Sequence, residues 1–109
     1  MKRMEIYWVE LEGRGNIQGG FRPCLVVCND IACQYSPTII VVPITTASKK
    51  PMPTHMNINL KSPSTVLFEQ FITVNKNQIG DKITELPEYL KEKAEEKIKI
   101  SLGLPPAFA

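Results

Sequence analysis

The sequence predicts a small, mainly β domain, a closed or partly open barrel finished by one C-terminal helix. Three observations carry that prediction. Through the first two thirds the apolar runs are short, β-branched and punctuated by turn residues. Nine prolines among 109 residues demand many turns. A helical apolar period occurs once with clear flanking signals, near the end of the chain.

Residues 5–11 read as the first strand, with Ile6, Trp8 and Glu10 alternating against Tyr7, Val9 and Leu11. Gly13, Gly15, Gly19 and Gly20 make 12–20 a flexible loop. Residues 21–29 follow as a strand whose Leu25-Val26-Val27 run predicts burial on both faces. Pro23 then belongs at its start, where a missing ladder donor is tolerated. Residues 29–37 form a turn or a short helical piece, and 38–45 a strand centred on Ile39-Ile40-Val41-Val42. Pro43 should leave the end of that strand irregular or exposed. Lys49-Lys50-Pro51-Met52-Pro53 is a loop. Residues 54–60 set Met56, Ile58 and Leu60 against His55, Asn57 and Asn59, the pattern of a half-buried strand. Lys61-Ser62-Pro63-Ser64 turns the chain into a long β-rich run over 65–74. The helix covers 87–102, where Leu90, Ala94, Ile98 and Leu102 recur every fourth residue among Lys and Glu. Pro87 suits its first turn, and Gly103 with Pro105 supplies the stop.

The length is that of one domain, 1–109. An apolar fraction of 43% with 22% charged residues is globular rather than disordered. The formal charge of +2 is too small to signal nucleic acid by itself, so any such site must be argued locally. No signal-peptide pattern opens the chain and no run approaches the roughly 20 apolar residues of a membrane span. The expected location is the cytoplasm. Cys24, Cys28 and Cys33 are an odd number at spacings unlike paired zinc ligands, and are expected to be buried, unreactive thiols.

A single histidine excludes a two-histidine acid–base ribonuclease, and the chain has no Walker-type phosphate loop and no metal-ligand cluster. His55 reads as a half-exposed structural residue on its strand, and no nucleophile elbow accompanies the serines. What remains is the glycine-rich stretch Gly15 to Gly20 leading through Phe21 into Arg22-Pro23. Consecutive glycines let backbone approach a ligand, and an arginine at a strand start presents a planar fork suited to phosphate. A mobile hairpin with a surface arginine is the plain alternative. Thr45-Thr46 closes an apolar strand and could aim a hydroxyl at the same anion.

These residues also carry a resemblance. Ile6-Tyr7-Trp8-Val9-Glu10-Leu11, Arg14-Gly15, Gln18-Gly19-Gly20-Phe21-Arg22-Pro23, Asn29-Asp30-Ile31, Tyr35-Ser36-Pro37-Thr38, Pro43-Ile44-Thr45, Pro53-Thr54-His55 and Glu69-Gln70 occur in the order and spacing of MazF/PemK toxins. Lys99-Ile100-Ser101-Leu102-Gly103-Leu104 resembles the end of that family's last helix. The match spans nearly the whole chain and is nearest the Gram-positive branch.

The resemblance implies an SH3-like β-barrel of the CcdB/PemK kind that dimerises and cuts single-stranded RNA within short motifs, with no metal or other cofactor. The substrate's own 2′-hydroxyl would attack, leaving a 2′,3′-cyclic phosphate and a 5′-hydroxyl. Arg22 matches the family's catalytic arginine and Thr45 the threonine that assists it. Fixed donors there would stabilise charge developing on the non-bridging oxygens, and Arg22 would help protonate the leaving oxygen. A guanidinium is a poor base, so removal of the 2′-hydroxyl proton has no assigned residue. Gln18, Gly19, Gly20, Phe21, Thr46 and Gln70 are the residues expected to contact RNA. A MazE-like antitoxin is the implied protein partner, and operator DNA would be reached indirectly through it; no membrane is involved.

The chain also departs from the family. Met4-Glu5 replaces the usual Gly-Asp, Ile17 stands where some relatives have an acid, and Ile72 and Asn75 stand where an arginine and an acid are frequent. Two other readings on the same scaffold therefore remain open. One is a non-catalytic toxin that binds a protein target such as DNA gyrase. The other is an inactive barrel with only antitoxin and operon-regulatory binding.

Overall fold

The computed structural model describes residues 1–13, 15, 19–47 and 49–105. Ile17 and Gln18 of the predicted loop lie outside them. The chain runs through β1 (Glu5–Leu11), β2 (Gly20–Val26), α1 (Asp30–Tyr35), β3 (Thr38–Thr45), β4 (His55–Asn59), β5 (Pro63–Leu67), β6 (Ile72–Asn75), a 3-10 turn (Lys76–Gln78), β7 (Ile79–Glu85) and α2 (Glu88–Leu102). The strands form one antiparallel sheet in the order β4-β5-β3-β2-β1-β7, with β6 also paired to β3. The fold is thus mainly β with a C-terminal helix, as predicted, and the barrel is the open kind.

Both faces of the sheet's centre are buried. Leu25, Val42 and Ile44 pack on one side with Met56, Val66, Phe68 and the α2 residues Ala94 and Ile98. Cys24, Val26, Ile39 and Val41 pack on the other with Val9, Val74 and Cys33 of α1. This is the two-sided burial that the Leu25-Val26-Val27 run predicts. β2 ends earlier than expected, at Val26, because the Val27 and Cys28 amides both bond the Ile40 carbonyl and the Asn29 side chain turns to cap α1 through Ala32 N at 2.8 Å.

β3 changes partner along its length. Thr38 to Val41 pair with β6, whereas Ile44 and Thr45 pair with β5. Pro43 lies in the gap between these partners, so it interrupts neither ladder; it is buried and opposite Cys24, not at an irregular exposed edge as predicted. Pro23 likewise is the fourth residue of β2 and faces Trp8, and only the ladder to β3 starts after it. The single run predicted over 65–74 is two strands. Its alternation breaks at the polar pair Glu69-Gln70, where Gln70 N bonds Leu67 O at 3.2 Å and the chain turns.

β7 was not expected. With only Ile79 and Ile83 apolar, this edge strand is held through β1 and through the Glu5–Lys82 ion pair at 2.6 Å. Glu5 is buried and also accepts from Lys2 N and Tyr7 Oη. Just before it, Met4 holds a left-handed φ of 71°, where the resembling family has glycine; its side chain is buried in the core, which offsets a strain of about 1–2 kcal/mol.

In α2, Pro87 caps the start and Gly103, at φ 70°, closes the end, with Leu104 N returning to Lys99 O at 2.8 Å. Ala94 and Ile98 are buried, but Leu102 is 55% exposed. Each four-residue step overshoots a 3.6-residue turn by about 40°, so the last leucine has rotated off the packed face. Among the described residues no helix is long and apolar enough to cross a membrane.

Candidate functional site

The partner exchange of β3 opens a cleft. Beyond Cys24↔Pro43 the β2–β3 ladder stops, and the start of β2 stays with β1 while the end of β3 leaves for β5. Continuing that register by two residues sets Arg22 opposite Thr45, on strands that have parted. A groove of about 940 Å³ fills the gap. Phe21, Arg22, Thr45, Thr46 and Gln70, all picked out from the sequence, border it. Gly19 and Gly20, also picked out from the sequence, are not among the residues that border it.

Arg22 is exposed, and its Nε donates to the Gly19 carbonyl at 3.3 Å, which leaves the rest of the fork for a ligand. Gly19 can take that place because it has no side chain: a Cβ there would come within 3.0 Å of Gly13 N. Arg22 makes no ion pair with a described carboxylate. Across the cleft, half-buried Thr45 accepts a hydrogen bond from Ala47 N at 3.1 Å. That bond uses an oxygen lone pair, so the hydroxyl hydrogen is left to donate into the groove.

The groove is electropositive. Arg22, Lys49 and Lys61 border it, and no carboxylate does so among the described residues. The two lysines were read from the sequence only as loop and turn residues. Trp8, read from the sequence as one of the alternating residues of the first strand, is 43% exposed and lines the groove, as does Ile83 of the unexpected β7. Two lysines flanking a Pro-rich loop and a tight turn were visible in the sequence; nothing local said that both face Arg22.

The cysteines and the histidine do not border the groove. All three cysteines are buried, and burial pushes the Cys24 and Cys33 thiols up to about 12, as expected of unreactive cores. His55 is less exposed than predicted, its side chain only 8% accessible, with Nε2 3.0 Å from Glu69 Oε2. Thr54 Oγ1 donates to the other Glu69 oxygen at 3.2 Å, so the histidine ties β4 to the turn that carries Gln70. Among the described residues no three His, Cys, Asp or Glu side chains are grouped to hold a metal.

Residues 2–102 match the model of the PemK-like, MazF-like toxins of type II toxin–antitoxin systems. The chain is 40% identical to Endoribonuclease EndoA of Bacillus subtilis, over 95% of this chain and 96% of that one. It is 38% identical to Endoribonuclease MazF of Staphylococcus saprophyticus, over 95% and 92%. A mycobacterial endoribonuclease solved in complex with its cognate antitoxin superposes with a TM-score of 0.82 at 23% identity, covering 97% of this chain and 98% of that one. MazF of Deinococcus radiodurans superposes at 0.81 and 19% identity, over 95% and 97%; these two likenesses concern the fold. With its open barrel, its terminal helix and a family match over nearly its full length, the chain belongs to the PemK/MazF toxins.

Proposed function

We propose that the protein is an endoribonuclease that cleaves single-stranded RNA without a metal. The observation that carries this reading is a groove with three cations and no described carboxylate, in which a guanidinium without a carboxylate partner faces a threonine hydroxyl. The names of the Bacillus and Staphylococcus relatives support it.

The RNA 2′-hydroxyl oxygen attacks the adjacent phosphorus, the bond from phosphorus to the 5′-oxygen breaks, and the products carry a 2′,3′-cyclic phosphate and a 5′-hydroxyl. Arg22 and Thr45 donate to the non-bridging oxygens, where charge builds in the transition state. No histidine or carboxylate borders the groove among the described residues, and removal of the 2′-hydroxyl proton is assigned to no residue. The leaving 5′-oxygen takes a proton from solvent while Arg22 hydrogen-bonds to it and stabilises its developing charge.

The working unit in this reading is a homodimer, because pairing identical surfaces lengthens a groove that is short for several nucleotides. An acidic antitoxin segment would occupy the groove by presenting carboxylates where phosphates lie. Long RNA incubated with the protein in EDTA tests the reaction. Cleavage should persist and leave cyclic phosphate ends, and RNA carrying a 2′-deoxy sugar on the 5′ side of the cut should resist. Cleavage of the deoxy substrate at full rate, or none of any RNA, would reject the mechanism.

A further inference from the structure

The groove holds more than cations. In the β1–β2 ladder Trp8 faces Pro23, and Phe21 lies two residues from Pro23 on the same face, so Trp8 and Phe21 are diagonal neighbours. Diagonal pairs on adjacent strands are about 7–8 Å apart at the backbone, within reach of aromatic rings. Both are well exposed, 43% for Trp8 and 57% for Phe21, in a domain whose other large apolar strand residues are mostly buried.

β7 is shaped to leave room for them. Tyr7 pairs with Lys82 and Val9 with Ile79, so Gly80 and Asp81 together face Trp8 alone and the strand is bulged there. A Cβ on Gly80 would stand 3.5 Å from Phe21 Cε1, 3.6 Å from Trp8 Cβ and 3.4 Å from Trp8 O. Phe21 thus reaches across β1 to lie over the bare backbone of Gly80, beside Trp8. Even a methyl at position 80 would stand in contact with that ring. Bulge and glycine together build an aromatic ledge whose faces stay open to the groove.

Resting on the RNA-cleavage reading, we propose that Trp8 and Phe21 form a stacking platform for one unstacked nucleobase of the RNA, adjoining the phosphate held by Arg22. Phe21 and Arg22 are consecutive, so their side chains leave opposite faces of β2, and both border one groove because β2 is its free wall. A strand of RNA bent over that wall puts a phosphate on the guanidinium and an adjoining base on the ledge. Aromatic rings serve this purpose irrespective of base identity, since every base has a π-face. The platform is therefore a grip that pulls one base out of the stack, and it accounts for a preference for single strands.

Trp8 is the only tryptophan in the chain, so its fluorescence reports this site alone. The probes are a fully 2′-O-methylated RNA of mixed sequence, which cannot be cut, and an abasic sugar–phosphate of the same length. The RNA should quench Trp8 and the abasic chain should not. Phe21→Leu, at an exposed position and checked by its melting curve, should weaken RNA binding by roughly 5- to 150-fold, the range of one lost base–aromatic stack. It should leave abasic binding unchanged, and Phe21→Tyr should restore the RNA affinity. Equal quenching by the abasic chain, or full RNA affinity in Phe21→Leu, would overturn the platform. So would a Phe21→Leu protein that loses affinity for the antitoxin alone, which would assign the ledge to a protein partner. The RNA reading itself fails differently: neither probe would then bind in an Arg22-dependent way.

Discussion

β2 is one strand of seven residues that keeps β1 beside it from Gly20 to Leu25, yet its two halves have different lives. Cys24, Leu25 and Val26 are fully buried between β1 and β3. Gly20 to Arg22 are exposed, Pro23 is half-buried, and β3 does not pair with them. The first half carries two poor strand formers, Gly20 and Pro23, and the second carries Leu25 and Val26, but the neighbour changes as well. Where β3 stays, the strand stabilises the fold, and where β3 departs for β5, the same strand becomes one wall of a charged groove. The site is therefore a consequence of strand exchange rather than of an added loop.

Substitutions in the two halves should separate stability from activity, and this is the largest effect expected. Arg22→Ala removes an exposed side chain and should leave the melting temperature nearly unchanged, while RNA cleavage falls by about 10² to 10³, the usual cost of one lost donor to a developing oxyanion. Leu25→Ala, three residues on, should cost about 2–5 kcal/mol of stability, read from denaturant unfolding. If Arg22→Ala melts early, or if it cuts RNA at nearly the normal rate, the division between the halves is wrong.

The shared neighbour, β1, offers a pH test of what holds β7 against it. Burial would raise the Glu5 carboxyl, but hydrogen bonds from Lys82, the Lys2 amide and Tyr7 outweigh it and lower the group to about 2. Because the folded value is depressed, its contribution is full above the unfolded value near 4.5 and is lost as pH falls toward 2. That contribution is at most about 3 kcal/mol. Acid unfolding followed by circular dichroism should begin in this window, and Lys82→Ala should move its midpoint upward. An unchanged midpoint in Lys82→Ala would show that β7 is held by its ladder alone.

Much of this was legible in the residues, for reasons that differ by element. β1 and β3 have the predicted bounds because alternation and β-branching are local signals. Arg22 and Thr45 were legible as two strand-end residues and as a family match, but their opposition depends on a register that no local pattern encodes. β7 was missed because Gly80, Asp81 and Lys82 interrupt its apolar pattern, and the feature that hides it, a bulge, is what shapes the groove. Pro43 was misjudged because a proline inside a buried strand is tolerated only where the strand is between partners, a fact of topology.

Thr45 probes the opposite wall. Thr45→Val keeps the shape and branching of a half-buried strand residue and removes the hydroxyl, so the fold should persist. A hydrogen bond to a charged group contributes about 1.5–3 kcal/mol. Cleavage should accordingly fall by roughly 10- to 150-fold, less than for Arg22→Ala, with binding of uncleavable RNA almost unaffected. A larger loss of binding than of turnover would make Thr45 a grip on the substrate instead of a donor to the transition state.

The smallest effects should come from Lys49 and Lys61, which sit on the β3–β4 loop and the β4–β5 turn, on the far side of the groove from β2. Each is exposed and neither is ion-paired to a described carboxylate, so each is free to neutralise one RNA phosphate. Releasing one counterion from a single strand changes the slope of log affinity against log salt by about 0.7. Lys49→Ala and Lys61→Ala should each flatten the slope by that amount and weaken binding a few-fold at low salt, while turnover at saturating RNA stays the same. Lys93→Ala, on the solvated face of α2, is the control, with the same loss of net charge placed away from the groove. If all three variants shift the slope equally, RNA feels the charge of the whole protein and the groove's second wall is not a phosphate track. If only the two groove lysines do, β3's departure from β2 has built both walls of the site, one for the reacting phosphate and one for its neighbours along the strand.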